Sequence, residues 1–428
     1  MLVVIDERVV MSAATSIQAR QFLFLQGPLS QFFSEIASGL QRLGHGIHHI
    51  QFNFGDRLFW RHPGALRYRG RLADWPAYIE AFYDRHAISD IVLLGEQRAY
   101  HRIAIAAAQR RGIQVTVTDF GYLRPDWITL ERDGMSGHSR FPRTPEALRE
   151  LAAGAPRVEL KAVYQDSFWN MARGDMLYHL SNFFLGWLFP RFHNDKLENP
   201  VLFYLGTGLR MLFAARNNRH AEASLQRMLA QRLPYFVYPL QMANDFQLRA
   251  YSDFPDQHAA IEQVISSFAA HAPREAHLLV KIHPWDPGLI NWRRQVLRHA
   301  RQFGVSDRVH YVDGGSLYRM SSHARGMVTI NSTSGLSALI RHCPLITLGQ
   351  AIFDMPGLTF QHGLDRFWRE ARPPDVDLLD DYLAALAASI QIRGVFYARP
   401  GLDAAVAEAV RRLDENLINC ILPERVVS

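Results

Sequence analysis

The sequence predicts an α/β protein of two Rossmann-like domains with parallel sheets and closing C-terminal helices. Three observations carry that expectation: strand and helix patterns alternate in two separate series, a helical middle segment divides the series, and the chain is long enough for two cores. It has 428 residues, 48% apolar and 21% charged, and a chain of that size normally splits its burial between two domains. The division is expected at residues 1–219 and 220–428, with the second series opening by Tyr235.

The first series opens with the apolar run 22–25. Gln26-Gly27-Pro28 follows, and then apolar positions at helical spacing, Phe32, Phe33, Ile36 and Leu40, up to Gly44. This reads as strand, turn, helix. Residues 46–52 give a second strand, closed by the polar Asn53-Phe54-Gly55-Asp56, and the whole is a βαβ unit. Residues 91–94 are the next strand, Gly95-Glu96-Gln97-Arg98 its loop, 101–110 a helix and 115–117 another strand. Strands joined through helices form a parallel sheet covered on both faces. Ligands of such sheets gather beyond the carboxyl ends of the strands, so these polar loops are where a site is sought. Any βα loop carries such residues, and one alone decides nothing.

The middle segment, 171–219, is rich in aromatic residues and includes Arg191, Lys196, Arg210 and Arg216. It admits two readings: helices packed between the domains with basic ends in solvent, which is the commoner arrangement, or a surface resting on a membrane. Its apolar stretches, 177–189 and 201–215, are interrupted by His179, Asn182 and Arg210. Neither reaches the roughly 20 apolar residues of a spanning helix, and no transmembrane segment is expected. The second series has strands at 235–240, 278–282, 309–312, 326–330 and 345–348, and 385–421 is expected to form the closing helices.

Composition narrows the partners. A net charge of +6 suits phosphate-bearing ligands or an anionic surface. The arginines are scattered, with no zinc-finger spacing and no RNA-recognition signature, which argues against nucleic acid. Cys343 and Cys420 make neither a disulfide framework nor a zinc site. Asp6 and Glu7 near the start do not fit a secretory signal. A cytoplasmic location is expected.

Three loops of the second series should open on one sheet edge: Gln241-Met242-Ala243-Asn244-Asp245, His283-Pro284-Trp285-Asp286 and Asn331-Ser332-Thr333-Ser334-Gly335. The last precedes a helical run; its hydroxyls and N–H groups suit either a phosphate or a plain helix N-cap. His283, between Lys281 and Pro284, could neutralise a leaving phosphate as a cation or a hydrogen-bond donor; a lone His-Pro pair equally ends a strand. Asp245 could attack an anomeric carbon or stabilise a developing cation, with Gln241 orienting either it or the sugar. Capping a helix that begins at Phe246 is the commoner use of such an aspartate. In the first series, residues 119–131 crowd charge, aromatics, glycine and proline into one loop, either a recognition loop or a compact connector.

Taken together these segments resemble the capsule polysaccharide biosynthesis family, of the KpsS/LipB type of Kdo transferase. The resemblance rests on Phe24-Leu25-Gln26-Gly27-Pro28, Asn53-Phe54-Gly55-Asp56, the 121–131 segment, Pro239-Leu240-Gln241 through Asp245, His283-Pro284 and Ser332-Thr333-Ser334, in family order across roughly 22–349. The single-unit length matches the KpsS type rather than the duplicated KpsC type.

The resemblance implies a GT-B fold and retaining transfer of β-Kdo from CMP-Kdo to a lipid or glycolipid acceptor, with no metal and no cofactor beyond the donor. It makes 1–219 the acceptor domain and 220–428 the nucleotide-sugar domain. Asp245 becomes the nucleophile with Gln241 beside it; Lys281, His283, Pro284, Ser332, Thr333 and Ser334 bind the nucleotide. Gly27, Asn53, Asp56, Glu96, Arg98, Tyr122, Arg124 and Glu131 bind the acceptor. A capsule assembly or export complex is the implied partner, at the inner face of the inner membrane. One position departs: relatives commonly carry an acid just before the Gly-Tyr-Leu-Arg-Pro segment, where this chain has Phe120. The alternatives are a GT-B transferase for another nucleotide sugar, and a non-catalytic export or assembly partner that keeps the fold.

Overall fold

The computed structural model describes residues 19–194, 200–242, 248 and 250–421. Among them the first sheet contains β1 (Gln21–Phe24), β2 (Gly46–Gln51), β3 (Leu66–Arg67), β4 (Asp90–Leu94), β5 (Gln114–Phe120), β6 (Trp127–Arg132) and β12 (Gln391–Arg393). Their order is β12-β6-β5-β4-β1-β2-β3. The second sheet contains β7 (Tyr235–Pro239), β8 (His277–Lys281), β9 (Val309–Val312), β10 (Gly326–Thr329) and β11 (Leu345–Thr347), in the order β11-β10-β7-β8-β9. Every pairing in it is parallel. This is the expected pair of Rossmann-like units, the architecture called GT-B.

The strands are apolar runs whose side chains are buried on both faces, as central parallel strands require. The helix Phe32–Arg42 covers β1 with Phe32, Phe33, Ile36 and Leu40, and Gly44 ends it in the left-handed region at φ 92°.

Three features differ from the sequence reading. Segment 119–131 is not one loop: β5 and β6 make an antiparallel hairpin across it, with Thr118 opposite Leu130. Gly121 is where the hairpin closes, since a Cβ there would sit 2.4 Å from the Trp127 carbonyl oxygen. The C-terminal stretch is not all helix either: between the helices Val376–Ile390 and Gly401–Asp414, β12 pairs antiparallel with β6. Finally, the cut at residue 219 falls inside the helix Pro200–Ala230, and the last residues return to the first unit. Leu402, Ala405, Ala409 and Leu413 pack with Phe22, Phe32 and Ile36. His45 Nε2 and Asp414 Oδ1 meet at 2.7 Å, and Arg393 Nε donates to the buried Asp126 Oδ2 at 3.0 Å. An apolar face on β1 and β6 needs a cover, and the chain end supplies it.

Candidate active site

In the second sheet the strand order reverses at β7, with β8 and β9 on one side and β10 and β11 on the other. The crevice at such a switch point is where open α/β sheets bind ligands. A cavity of about 260 Å³ opens there, lined by Lys281, His283, Pro284, Ser332, Thr333, Ser334, Leu240 and Leu317 and, from the first unit, Arg124. The structure therefore gathers the six residues read as nucleotide-binding around one space. It adds Arg124, which the sequence reading assigned to the acceptor.

The arrangement of His283 fixes its chemistry. The Trp285 backbone N–H donates to His283 Nδ1 at 3.1 Å, so Nδ1 is the bare nitrogen and Nε2 carries the proton. Burial, reinforced by Lys281 and Arg210, pushes its pKa down to about 4. Of the two roles open to it in the sequence, it is the neutral hydrogen-bond donor near pH 7. The positive charge comes instead from Lys281 and Arg124. Lys281 is buried, its pKa is lowered by that burial, and among the described residues its Nζ makes only a long 3.4 Å hydrogen bond, to the Ile282 carbonyl. A buried ammonium so placed favours an anionic oxygen as partner. Asp313 is shared between Arg210 and Asn217, and Asp286 accepts from the Trp292 indole and the Gly288 N–H.

The hydroxyl loop is not a plain N-cap. Thr333 stands at the cap of the helix Ser334–Leu339 and makes no side-chain cap hydrogen bond. Ser334 Oγ and Ser332 Oγ are 2.9 Å apart, and Ser332 accepts from the Ser334 N–H. Gln241 orients the frame: its Nε2 donates to Asn331 Oδ1 at 2.9 Å and its Oε1 accepts from the Asn331 N–H, which ties the loop after β7 to the loop after β10. Asp245 lies outside the described residues.

The residues read as acceptor-binding divide into separate groups. A Cβ at Gly27 would sit 2.5 Å from the Phe33 ring, so its glycine serves the packing of the turn. Asn53 and Asp56 form a capping box on the helix Phe54–Leu58, and Asp56 also accepts from Gln26 Nε2 at 3.0 Å. Burial raises the Asp56 pKa, opposed by Gln26 and by nearby Arg98. Asn53 Nδ2 donates to Tyr178 Oη at 2.9 Å.

Glu96, Tyr122 and Glu131 lie together elsewhere, at a seam between the units. Tyr251 of the second unit donates to Glu96 and accepts from Gln97 Nε2. Ser139 donates to Glu131, and Tyr122 Oη accepts from the Ser136 N–H at 2.8 Å. Burial, with Glu96 adding repulsion, pushes the Glu131 pKa up to about 8. Tyr122 and Glu131 are buried, and their polar atoms bond within the fold. Phe120 is a platform, with the Arg124 guanidinium carbon 5.1 Å from its ring centroid. Sequence reasoning missed Tyr251, which lies beyond the motif in the stretch between β7 and the helix Gln257–His271, and took Arg210 only as a basic residue of the middle segment.

Fold and site together define a two-unit GT-B protein with a crevice lined by basic and hydroxyl side chains at the edge of its second sheet. The model of the family described as capsule polysaccharide biosynthesis protein matches residues 89–397, and the chain belongs to that family. The capsule polysaccharide export protein KpsS of Escherichia coli is 32% identical over 385 residues, 89% of this chain and 98% of that protein. The capsule polysaccharide modification protein LipB of Neisseria meningitidis serogroup B is 33% identical over 392 residues, 89% of this chain and 92% of that one. Among solved structures, the KpsC β-Kdo 2,7 transferase of Thermosulfurimonas dismutans aligns over 92% of this chain and 99% of its own, at 12% identity and a TM-score of 0.45. No helix among the described residues is long and apolar enough to cross a membrane.

Proposed function

We propose that this chain is a retaining β-Kdo transferase that uses CMP-Kdo to build the lipid-linked Kdo linker of a capsular polysaccharide, at the inner face of the inner membrane. The observation that carries the reading is the cavity where Lys281, the His283 N–H donor, the 332–334 hydroxyls and Arg124 converge. That set suits the phosphate of a nucleotide monophosphate donor, binding it through fixed donors and charge rather than through a divalent ion.

In the proposed reaction the Asp245 carboxylate attacks the anomeric carbon. The bond to the phosphate oxygen breaks, and CMP departs with the electron pair into the Lys281, His283 and hydroxyl cradle. An acceptor hydroxyl then gives its proton to water and displaces Asp245 from the opposite face, returning the free carboxylate, so the configuration is retained. Gln241 and Asn331 hold the two loops in register during both steps.

The test is incubation with CMP-Kdo and a lipid acceptor, following CMP release and product mass. Asp245→Asn should abolish transfer while CMP still binds, activity should survive a chelator, and donor without acceptor should leave a Kdo adduct on the Asp245 peptide. Substantial transfer by Asp245→Asn, or turnover of another nucleotide sugar in preference to CMP-Kdo, would overturn the reading.

A further inference from the structure

The helices Phe168–Leu185 and Pro200–Ala230 present an apolar surface that none of the described chain covers. Trp169, Phe183, Trp187 and Leu212 are 77%, 78%, 71% and 77% exposed. The two helices lie side by side, with the His179 and Tyr204 rings 5.8 Å apart. The expectation that this segment packs between the domains is thus only half met. Polar bonds tie one helix to each unit, Gly55 N–H to Asn182 and Gly315 N–H to Asn218, while the apolar side chains face outward. An apolar helix in a folded protein is ordinarily covered, and a patch of this kind marks an interaction surface.

Three features say what covers it. Between 168 and 220 the sequence has six basic residues and three acidic ones, and Arg173, Arg191, Arg216 and Arg219 are exposed beside the apolar positions. Arginine and amphipathic aromatics around a broad apolar face suit the interfacial layer of an anionic bilayer. The exposed apolar positions of the second helix, among them Tyr204, Leu205, Leu209, Met211 and Phe213, spread over more than half its circumference at about 100° per residue. A flat protein partner covers one face of a helix, whereas lipid closes around it. The surface is also continuous with the site, for Phe168 stacks on Trp285 at 5.4 Å, two residues from His283.

We propose that this helix pair docks the protein on an anionic phospholipid surface and turns the mouth of the cavity towards it. The proposal deepens the reading of a lipid-borne acceptor and rests on it for its purpose, while its test does not depend on turnover. The full chain is sedimented with phosphatidylcholine vesicles with and without phosphatidylglycerol. Binding is expected with phosphatidylglycerol, weakened roughly tenfold or more by Phe183→Glu or Leu212→Glu, and less, in a salt-dependent way, by Arg216→Glu. CMP binding and circular dichroism should be unchanged in all three. Absence of vesicle binding by the unmodified chain, indifference to the substitutions, or a dimer that Leu212→Glu splits into monomers would each overturn the docking surface. Loss of CMP binding by the unmodified chain would sink the proposed activity and leave the docking result standing.

Discussion

The two sheet edges carry similar side chains and use them in opposite ways. Beyond the second sheet, Lys281, His283 and the 332–334 hydroxyls line a cavity, although Ser332 and Ser334 also bond to each other, while Gln241 ties two of the loops together. Beyond the first sheet, Asn53 and Asp56 cap a helix, and Glu131 and Tyr122 are bonded inside the seam. A polar βα loop is therefore a candidate only until its hydrogen bonds are accounted for, because buried polar groups must find partners and often find them within the fold.

That contrast can be broken most sharply at His283. His283→Ala removes the donor that the proposed reaction directs at the leaving phosphate, and the expected loss of turnover is roughly a hundredfold, with a clear loss of CMP affinity by calorimetry and an unchanged melting midpoint. A lowered melting midpoint with normal turnover would reduce His283 to a strand-ending turn. Lys281→Met should weaken CMP binding by roughly tenfold, since a hydrogen bond to a charged group contributes about 1.5–3 kcal/mol. The same change should leave stability equal or raised, because it removes a buried charge.

Asn53→Ala should behave in the opposite sense. Loss of the capping box costs about 1 kcal/mol of unfolding free energy, read from denaturant midpoints, while CMP affinity stays as it was. A drop in CMP affinity there would join the two edges into one site.

The smallest effect concerns pH. Burial pushes the pKa of His49 and of His101 down to about 3. Below about pH 6.5 the unfolded chain takes protons that the native chain refuses, so stability is full above that pH and falls as pH drops towards 3. His49→Gln should reduce the slope of unfolding free energy against pH by about one proton over that window. An unchanged slope would show that His49 does not set it.

Much of this was legible in the sequence. The strands of both units follow from short apolar runs bounded by turn residues, and the loops that line the cavity follow from their place after those strands. What escaped were elements defined by distant partners. The run 127–132 alternates apolar and polar residues at Ile128-Thr129-Leu130-Glu131, yet it sits among the charge, aromatics, glycine and proline of a loop-like stretch, and its pairing with 391–393 spans most of the chain. The fate of Glu131 depends on Ser139 and the neighbouring Glu96, and that of Gln241 on Asn331. Such couplings leave no local pattern. Helical spacing in 168–230 was readable, but its exposure was not, because an apolar helix reads the same whether protein or lipid covers it.

The return of β12 to the first sheet fixes an order of assembly. A chain leaving the ribosome presents β7 to β11 in one contiguous stretch, whereas the first sheet waits for residues 391–393 and for the helix that follows them. The unit begun first is thus completed last. Until the final residues emerge, the apolar face formed by Phe22, Phe32 and Ile36 stands open to water and to other chains. Premature termination between the helix Leu364–Glu370, whose Phe367 and Trp368 complete the core of the second unit, and β12 would leave that unit attached to an aggregation-prone first one.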